Sequence, residues 1–276
     1  MAKNFTFKQF HINAFQCGMP VSTDAVLLGA WANINSAKKI VDIGCGTGLL
    51  AIMCAQRNAI ADITAVEIEE NAFNAAHQNA TNSPWSKRLT IKHSSIQKFT
   101  NEVTVHASFD AIICNPPYFN NGAQSTNSQR AVARHTSALS HLNLLSYCAL
   151  LLKEQGTASF VLPKEEGLSF INLLQSTDVD YFSQLVLTRL IYVKTTNNKP
   201  ATRVLIELTK QSTNKAPVKL PVLDNTDLLN TASFEKGLLN SSELEPKLLK
   251  NELVIHDGHA YSKEFVELTK AFYLKM

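Results

Sequence analysis

Two stretches of this chain combine residues able to do chemistry with flanks able to hold them still. The first is Asn115-Pro116-Pro117-Tyr118, which follows the apolar run Ala111, Ile112, Ile113, Cys114. Such a run reads as a buried strand, and two adjacent prolines, having no N–H to donate, must end its ladder. A polar amide, a stiff corner and an aromatic ring are therefore set at the end of a core strand. The second is Asp42-Ile43-Gly44-Cys45-Gly46-Thr47-Gly48. Glycine at alternate positions lets the backbone turn sharply and approach a ligand where a β-carbon would clash.

The second stretch also carries charge information. A dinucleotide fingerprint would require glycine at position 49, where Leu49 stands. Asp42 precedes the first glycine by two residues and falls at a strand's carboxyl end, where it suits an ammonium group better than a pyrophosphate. About 20 residues on, Glu67 ends the next strand, well placed to accept ribose hydroxyls and to repel a phosphate. A cationic, ribose-bearing cofactor without phosphates meets these demands together, and S-adenosylmethionine is such a molecule. Asp42, Gly44, Gly46, Gly48 and Glu67 are its expected contacts.

The elements that must position these groups alternate. "KIVDI", "ADITAVEI", "RLTIKH", "FDAIICN" and "TASFVLP" read as strands. "GLLAIMCAQR", "EENAFNAAHQNA" and "LNLLSYCALLLKEQG" read as helices between them, the last stopping at Gly156. The alternation predicts an α/β fold, a parallel sheet with helices on both faces. "LVLTRLIYVKTT" and "ATRVLIELTK", joined by "NNKP", predict an antiparallel pair. We expect one domain over residues 1–276. It comprises an N-terminal segment to 38, a core from 39 to 210, a surface excursion from 211 to 250 and a closing strand and helix from 251 to 276.

The bulk numbers exclude several classes. With 45% apolar and 18% charged residues among 276, the chain has the material for a sizeable core. No apolar run approaches a membrane span, and "MAKNFTFKQFHINAF" lacks the apolar block of a signal peptide. The five cysteines are scattered with no C-x-x-C pair, so neither a metal site nor a disulfide framework is expected, and a reducing cytoplasm fits. Net charge is only +3, but between Arg189 and Lys219 seven bases face one acid, Glu207. That stripe reads either as a guarded sheet edge or as a polyanion-binding surface.

"VDIGCGTG", "AVEIEENA" and "NPPY", in this order, resemble the class I S-adenosylmethionine-dependent methyltransferases that methylate amines. The resemblance implies a Rossmann-like fold with a mostly parallel seven-stranded sheet and an antiparallel last strand. It also gives the Asn115 corner a physical role. An exocyclic amine on a ring is a poor nucleophile because its lone pair is delocalised. The Asn115 oxygen and the Pro116 carbonyl would accept its two hydrogens and stabilise charge as the methyl arrives. Pro117 would fix the corner, and Tyr118 would stack on a flipped base.

"FQCGMPVSTDAVLLGAW", "RHTSALSHLNLL", "KPATRVLIEL" and "YSKEFVELTKAFYLKM" narrow the resemblance to one bacterial group, the tRNA1(Val) adenine-37 N6-methyltransferases. It covers most of residues 7–210 and the last twenty-odd. By it, Gly18–Asp24 would close over the methionine end of the cofactor, and Arg134 and His135 would lie on a loop near the substrate. If the basic stripe binds a polyanion, Arg189, Lys194, Lys199 and Arg203 would contact the phosphates of tRNA. Ser95 stands where the family usually has an acid reading the cofactor's adenine amine, so a neutral contact is expected there. The 211–250 excursion is longer than the family leads us to expect.

Rival readings are a glutamine N5-methyltransferase, a DNA adenine methyltransferase, a silent nucleic-acid-binding module and a nicotinamide dehydrogenase. The first usually has a separate N-terminal helical domain, and here about 38 residues precede the first strand. The second normally carries a target-recognition domain too large for 211–250. An intact Asn115 and Tyr118 disfavour the third, and Leu49 the fourth.

Overall fold

The computed structural model describes residues 4–14, 21–116, 140–174, 184–212 and 251–275. Residues 18–20 of the Gly18–Asp24 stretch, Pro117, Tyr118, Arg134, His135 and all but the first two residues of the 211–250 excursion lie outside the described residues.

In chain order, β1 (Phe5–Thr6) and β2 (His11–Ile12) form a small antiparallel ribbon. Helix α1 (Thr23–Trp31) follows, with the Ser22 hydroxyl accepting from the Ala25 amide as its N-cap. The alternating core is β3 (Lys39–Ile43), α2 (Leu49–Arg57), β4 (Asp62–Glu67), α3 (Glu70–Asn82) and β5 (Leu89–His93). It continues through α4 (Ile96–Thr100), β6 (Phe109–Cys114), α5 (His141–Leu151), β7 (Leu152–Pro163) and α6 (Lys164–Leu173). Then come β8 (Leu185–Thr196), β9 (Arg203–Lys210), β10 (Asn251–Asp257), β11 (Ala260–Tyr261) and α7 (Lys263–Thr269).

The main sheet runs β11-β10-β8-β9-β7-β6-β3-β4-β5. Strands β3 to β7 are mutually parallel, and β9 is antiparallel to both β7 and β8. This is the expected mostly parallel sheet, with nine strands instead of seven. The two additional strands lie at one edge, where β10 joins β8 in parallel and β11 folds back on β10. Period-two alternation divides the side chains between two cores. Ile40, Ile113, Val161 and Leu205 face α1, α2 and α7. Val41, Ile112, Phe160 and Ile206 face α5 and α6.

Gly156 has a different task from the one expected. Helix α5 ends at Leu151, five residues earlier than "LLKEQG" suggested, and the chain enters β7 at once. Register against β6 jumps from Phe109↔Leu152 to Ala111↔Thr157, so residues 153–156 form a bulge, with Gln155 at φ 62°. A β-carbon at Gly156 would lie 2.9 Å from the Lys153 carbonyl, so the bulge, not a helix cap, requires glycine.

Candidate active site

Strands β3, β4 and β5 step one way across the sheet and β6 and β7 step the other. The order therefore reverses between β3 and β6, and a crevice opens at their carboxyl ends. The register gathers the expected residues there. Asp42 lies between Ala65 of β4 and Ile113 of β6, Glu67 ends β4, and Asn115 is the first residue beyond β6.

The glycine turn takes the conformation its sequence demands. Gly44, Gly46 and Gly48 have φ of 69°, 56° and 81°, the left-handed region where a β-carbon is strained. The Gly44 and Cys45 amides donate to the Val66 carbonyl at 2.9 and 3.1 Å, which ties the turn to the end of β4. A β-carbon at Gly44 or Gly46 would meet nothing within 4 Å among the described residues, whereas one at Gly48 would lie 3.3 Å from Ala76 of α3. The first two glycines thus border open space and the third permits helix contact.

Glu67 is 8% exposed and its carboxylate is fixed by three backbone donors. Oε2 accepts from Gly46 N–H at 2.8 Å, and Oε1 accepts from Ile68 and Glu69 N–H at 2.8 and 2.9 Å. The residue expected to read ribose is therefore also the brace of the glycine turn. Each carboxylate oxygen retains lone-pair capacity for a further donor.

Asp42 is fully buried. Its Oδ2 accepts from the Ala51 amide in the first turn of α2 at 3.0 Å, while Oδ1 meets no donor among the described residues. Burial pushes its carboxyl up to about 8. The Ala51 amide works against that shift, and the neighbouring Glu67 charge adds to it. Asn115 Oδ1 is likewise buried with no hydrogen-bond partner among the described residues. Unsatisfied buried acceptors are uncommon, and two of them flank the same crevice. Two acceptors needing donors, a turn bordering open space and a carboxylate at the end of β4 fit a cationic ribose-bearing cofactor. Among the described residues, no group of three or more His, Cys, Asp or Glu is arranged to hold a metal ion. No helix among them is long and apolar enough to cross a membrane.

Ser95 is the N-cap of α4, its hydroxyl accepting from the Lys98 amide at 3.1 Å. The hydroxyl is therefore already committed to the helix start, which no reading of position 95 as a cofactor contact alone anticipates. Asp24, in the first turn of α1, forms an ion pair with Arg203, Nε to Oδ2 at 2.9 Å. Arg203 begins β9 beside Pro163 at the carboxyl end of β7, so this pair fastens α1 to the site's rim.

Three bases of the stripe, Arg189, Lys194 and Arg203, are paired with acids. Arg189 is bound to buried Glu207 at 2.9 Å and lies 4.1 Å over the Trp31 ring. Lys194 pairs with Glu252 at 2.6 Å, and Lys210 donates to the carbonyls of Ala149 and Leu152. Counting acids within the segment hid Asp24 and Glu252, which the fold brings from elsewhere. Lys199, exposed on the β8–β9 hairpin, has no ion-pair partner among the described residues.

One positioning residue was missed. Asn79 of α3 is buried and hydrogen-bonded to the glycine turn through the Thr47 carbonyl at 3.0 Å. Its signal was present in the sequence. Asn79 occupies the same helical face as Ala72, Ala75, Ala76 and Ala80, where an apolar residue would be expected.

Comparison with known proteins agrees with this geometry. A family model described as "Methyltransferase small domain" matches residues 21–146. The tRNA1(Val) (adenine(37)-N6)-methyltransferase of Aliivibrio fischeri (strain MJ11) is 44% identical over 277 residues, covering 100% of both chains. The protein of the same name from Vibrio campbellii is 44% identical over 274 residues, 99% of this chain and 97% of its own. Among solved structures, a predicted O-methyltransferase from Agrobacterium tumefaciens superposes with a TM-score of 0.59 at 16% identity. It covers 90% of this chain and 96% of that one, a likeness of fold. Full-length identity at this level, with the glycine turn, Glu67 and Asn115 gathered at one crevice, places the chain in the tRNA1(Val) (adenine(37)-N6)-methyltransferase family.

Proposed function

We propose that this enzyme transfers the methyl group of S-adenosylmethionine to N6 of an adenine in tRNA, adenine 37 of a valine tRNA, as its relatives' names state of them. The observation that carries the reading is Asn115, whose buried Oδ1 has no donor among the described residues at the carboxyl end of β6, beside the glycine turn and Asp42. Residues 1–276 would act as one methyltransferase unit, in the cytoplasm where tRNA is modified.

S-adenosylmethionine, when bound, supplies a methyl group on a cationic sulfur. Asp42 Oδ1 would accept from its ammonium group, and the lone pairs of Glu67 left by the three amides would accept from its ribose hydroxyls. Gly44 and Gly46 leave room for close approach. Ser95 keeps its N-cap bond, and Asp24 would shape the site through the ion pair with Arg203. For the adenine, Asn115 Oδ1 and the Pro116 carbonyl accept the two N6 hydrogens. That draws the nitrogen's electron pair out of conjugation and stabilises the positive charge that grows on it. The surplus proton leaves to solvent. Pro117 and Tyr118 would hold and stack the base, with Arg134 and His135 nearby. Incubation with labelled S-adenosylmethionine and unmodified tRNA, DNA or total protein tests the substrate class. Label in tRNA alone supports the reading, and label in protein or DNA refutes it.

Asp42 makes the cofactor site pH-sensitive. In the ligand-free fold its carboxyl titrates near 8, far above an unfolded aspartate, so between those values the folded chain holds a proton that the unfolded chain has lost. The stability this contributes is fully present below the unfolded pKa and is lost as pH rises through about 8. An ammonium partner favours ionised Asp42, so binding releases that proton. Cofactor affinity should rise by up to about tenfold per pH unit between roughly pH 5 and 7, below the titration of an α-amine. Titration calorimetry across this range should show a flat profile for Asp42→Asn. A wild-type profile that is equally flat would remove Asp42 from the contact.

The ion pairs also sort the bases by their expected effect on tRNA. Lys199→Ala should flatten the slope of log affinity on log salt by about 0.7–0.9, the value for one phosphate contact. Arg203→Ala should leave the slope unchanged, because its charge is engaged by Asp24. Filter binding over a salt series reads both, and a flattened slope for Arg203→Ala would restore it as a phosphate contact.

A further inference from the structure

Asn79 spends its whole side-chain amide on two backbone segments distant in sequence. Its Nδ2 donates to the Asn13 carbonyl and to the Thr47 carbonyl, each at 3.0 Å, and its Oδ1 accepts from the Asn13 amide at 3.0 Å. It therefore meets both polar groups of residue 13 as a neighbouring strand would, and fastens the same point to the centre of the glycine turn. Two further contacts converge there. Gly46 N–H is held by Glu67, and Gly48 packs against Ala76, one helical turn before Asn79. The segment that Asn79 grips is also held from its other side. The Lys8 amide donates to the Phe272 carbonyl at 2.8 Å, and Phe7 and Phe272 are buried in one core.

We infer that Asn79 is a positioning residue for the cofactor, fixing the glycine turn by locking it to the N-terminal segment at Asn13. A turn of three left-handed glycines has little conformational preference of its own. Its shape must come from outside, and Glu67 and Asn79 hold two consecutive residues of it, Gly46 and Thr47, one from the end of β4 and the other from α3. A buried polar side chain with both N–H groups and its oxygen engaged specifies one arrangement, whereas an apolar residue on that helix face would only fill space. The role rests on reading the turn as the cofactor site.

The test uses the full chain and S-adenosylmethionine as probe. Asn79→Ala removes all three bonds, and Asn79→Asp keeps the acceptor for Asn13 but turns an oxygen towards two carbonyls. Both should weaken cofactor binding by about tenfold or more, as loss of a buried hydrogen bond implies. Turnover at saturating cofactor and KM for tRNA should stay within about threefold of wild type, because the loss is confined to cofactor binding. Unchanged cofactor affinity, or equal losses in cofactor affinity, tRNA KM and turnover, overturns the role. Hydrogen exchange on the wild type serves where a variant does not fold. Cofactor should raise protection of the Asn13 amide together with those of Thr47 and Gly48, and protection of the turn without Asn13 overturns the coupling. A wild-type chain that binds no S-adenosylmethionine overturns the functional reading itself. Normal wild-type binding with unaffected variants overturns the role of Asn79 alone.

Discussion

Asn115→Ala is expected to lower turnover by roughly 10²–10³ while leaving S-adenosylmethionine affinity close to wild type. The expectation follows from Asn115 Oδ1, which is buried and has no hydrogen-bond partner among the described residues. The loss therefore falls on the amine that this oxygen accepts from as charge develops. Asn115→Asp is a sharper comparison. It keeps the acceptor but adds a charge beside buried Asp42 and Glu67, so it should bind cofactor no worse at low pH and recover little activity. Calorimetry for affinity and single-turnover kinetics for chemistry separate the two quantities. A fall in cofactor affinity as steep as the fall in turnover would contradict the role given to Asn115.

Glu67→Ala should act in the opposite sense, weakening cofactor binding by about 10²-fold with a smaller effect on the chemical step at saturation. A hydrogen bond to a charged group contributes about 1.5–3 kcal/mol, and Glu67 is placed to make such bonds to ribose. The substitution also frees the Gly46, Ile68 and Glu69 amides, so the turn loses its brace as well as the site its acceptor. Glu67→Gln should not restore affinity, because its amide NH₂ would face at least one of those backbone donors. A cofactor dissociation constant unchanged in Glu67→Ala, measured by calorimetry, would remove Glu67 from the site.

The sequence carried the chemistry more fully than the scaffolding. Asp42, the three glycines, Glu67 and Asn115 were legible because local rules fix them. Apolar runs mark strands, alternate glycines mark the turn, and strand ends mark where a site must lie. The ion pairs of Lys194 and Arg203 were not legible because their partners, Glu252 and Asp24, are 58 and 179 residues away in the chain. Composition within a segment cannot report such pairs. Gly156 looked like a helix stop because its helix-like apolar period ran through Leu152, whereas pairing of β7 with β6 captured those residues for the sheet. Strand β10 is the closing strand read from the sequence, but its place in the main sheet, and the two-residue strand β11 beside it, lay outside the count of seven because short edge pairing depends on the partner strand more than on local pattern. Ser95 showed the same limit, since a serine that caps a helix and a serine that meets a ligand have one appearance in sequence.

The most direct measurement of the central claim is methyl transfer to two valine tRNA transcripts, one with adenine at position 37 and one with guanine there, followed by nucleoside digestion and mass mapping. The account predicts one N6-methyladenosine per molecule of the first transcript, located at position 37, and none in the second. Equal methylation of both transcripts, or methylation of neither by a chain that binds S-adenosylmethionine, would contradict it.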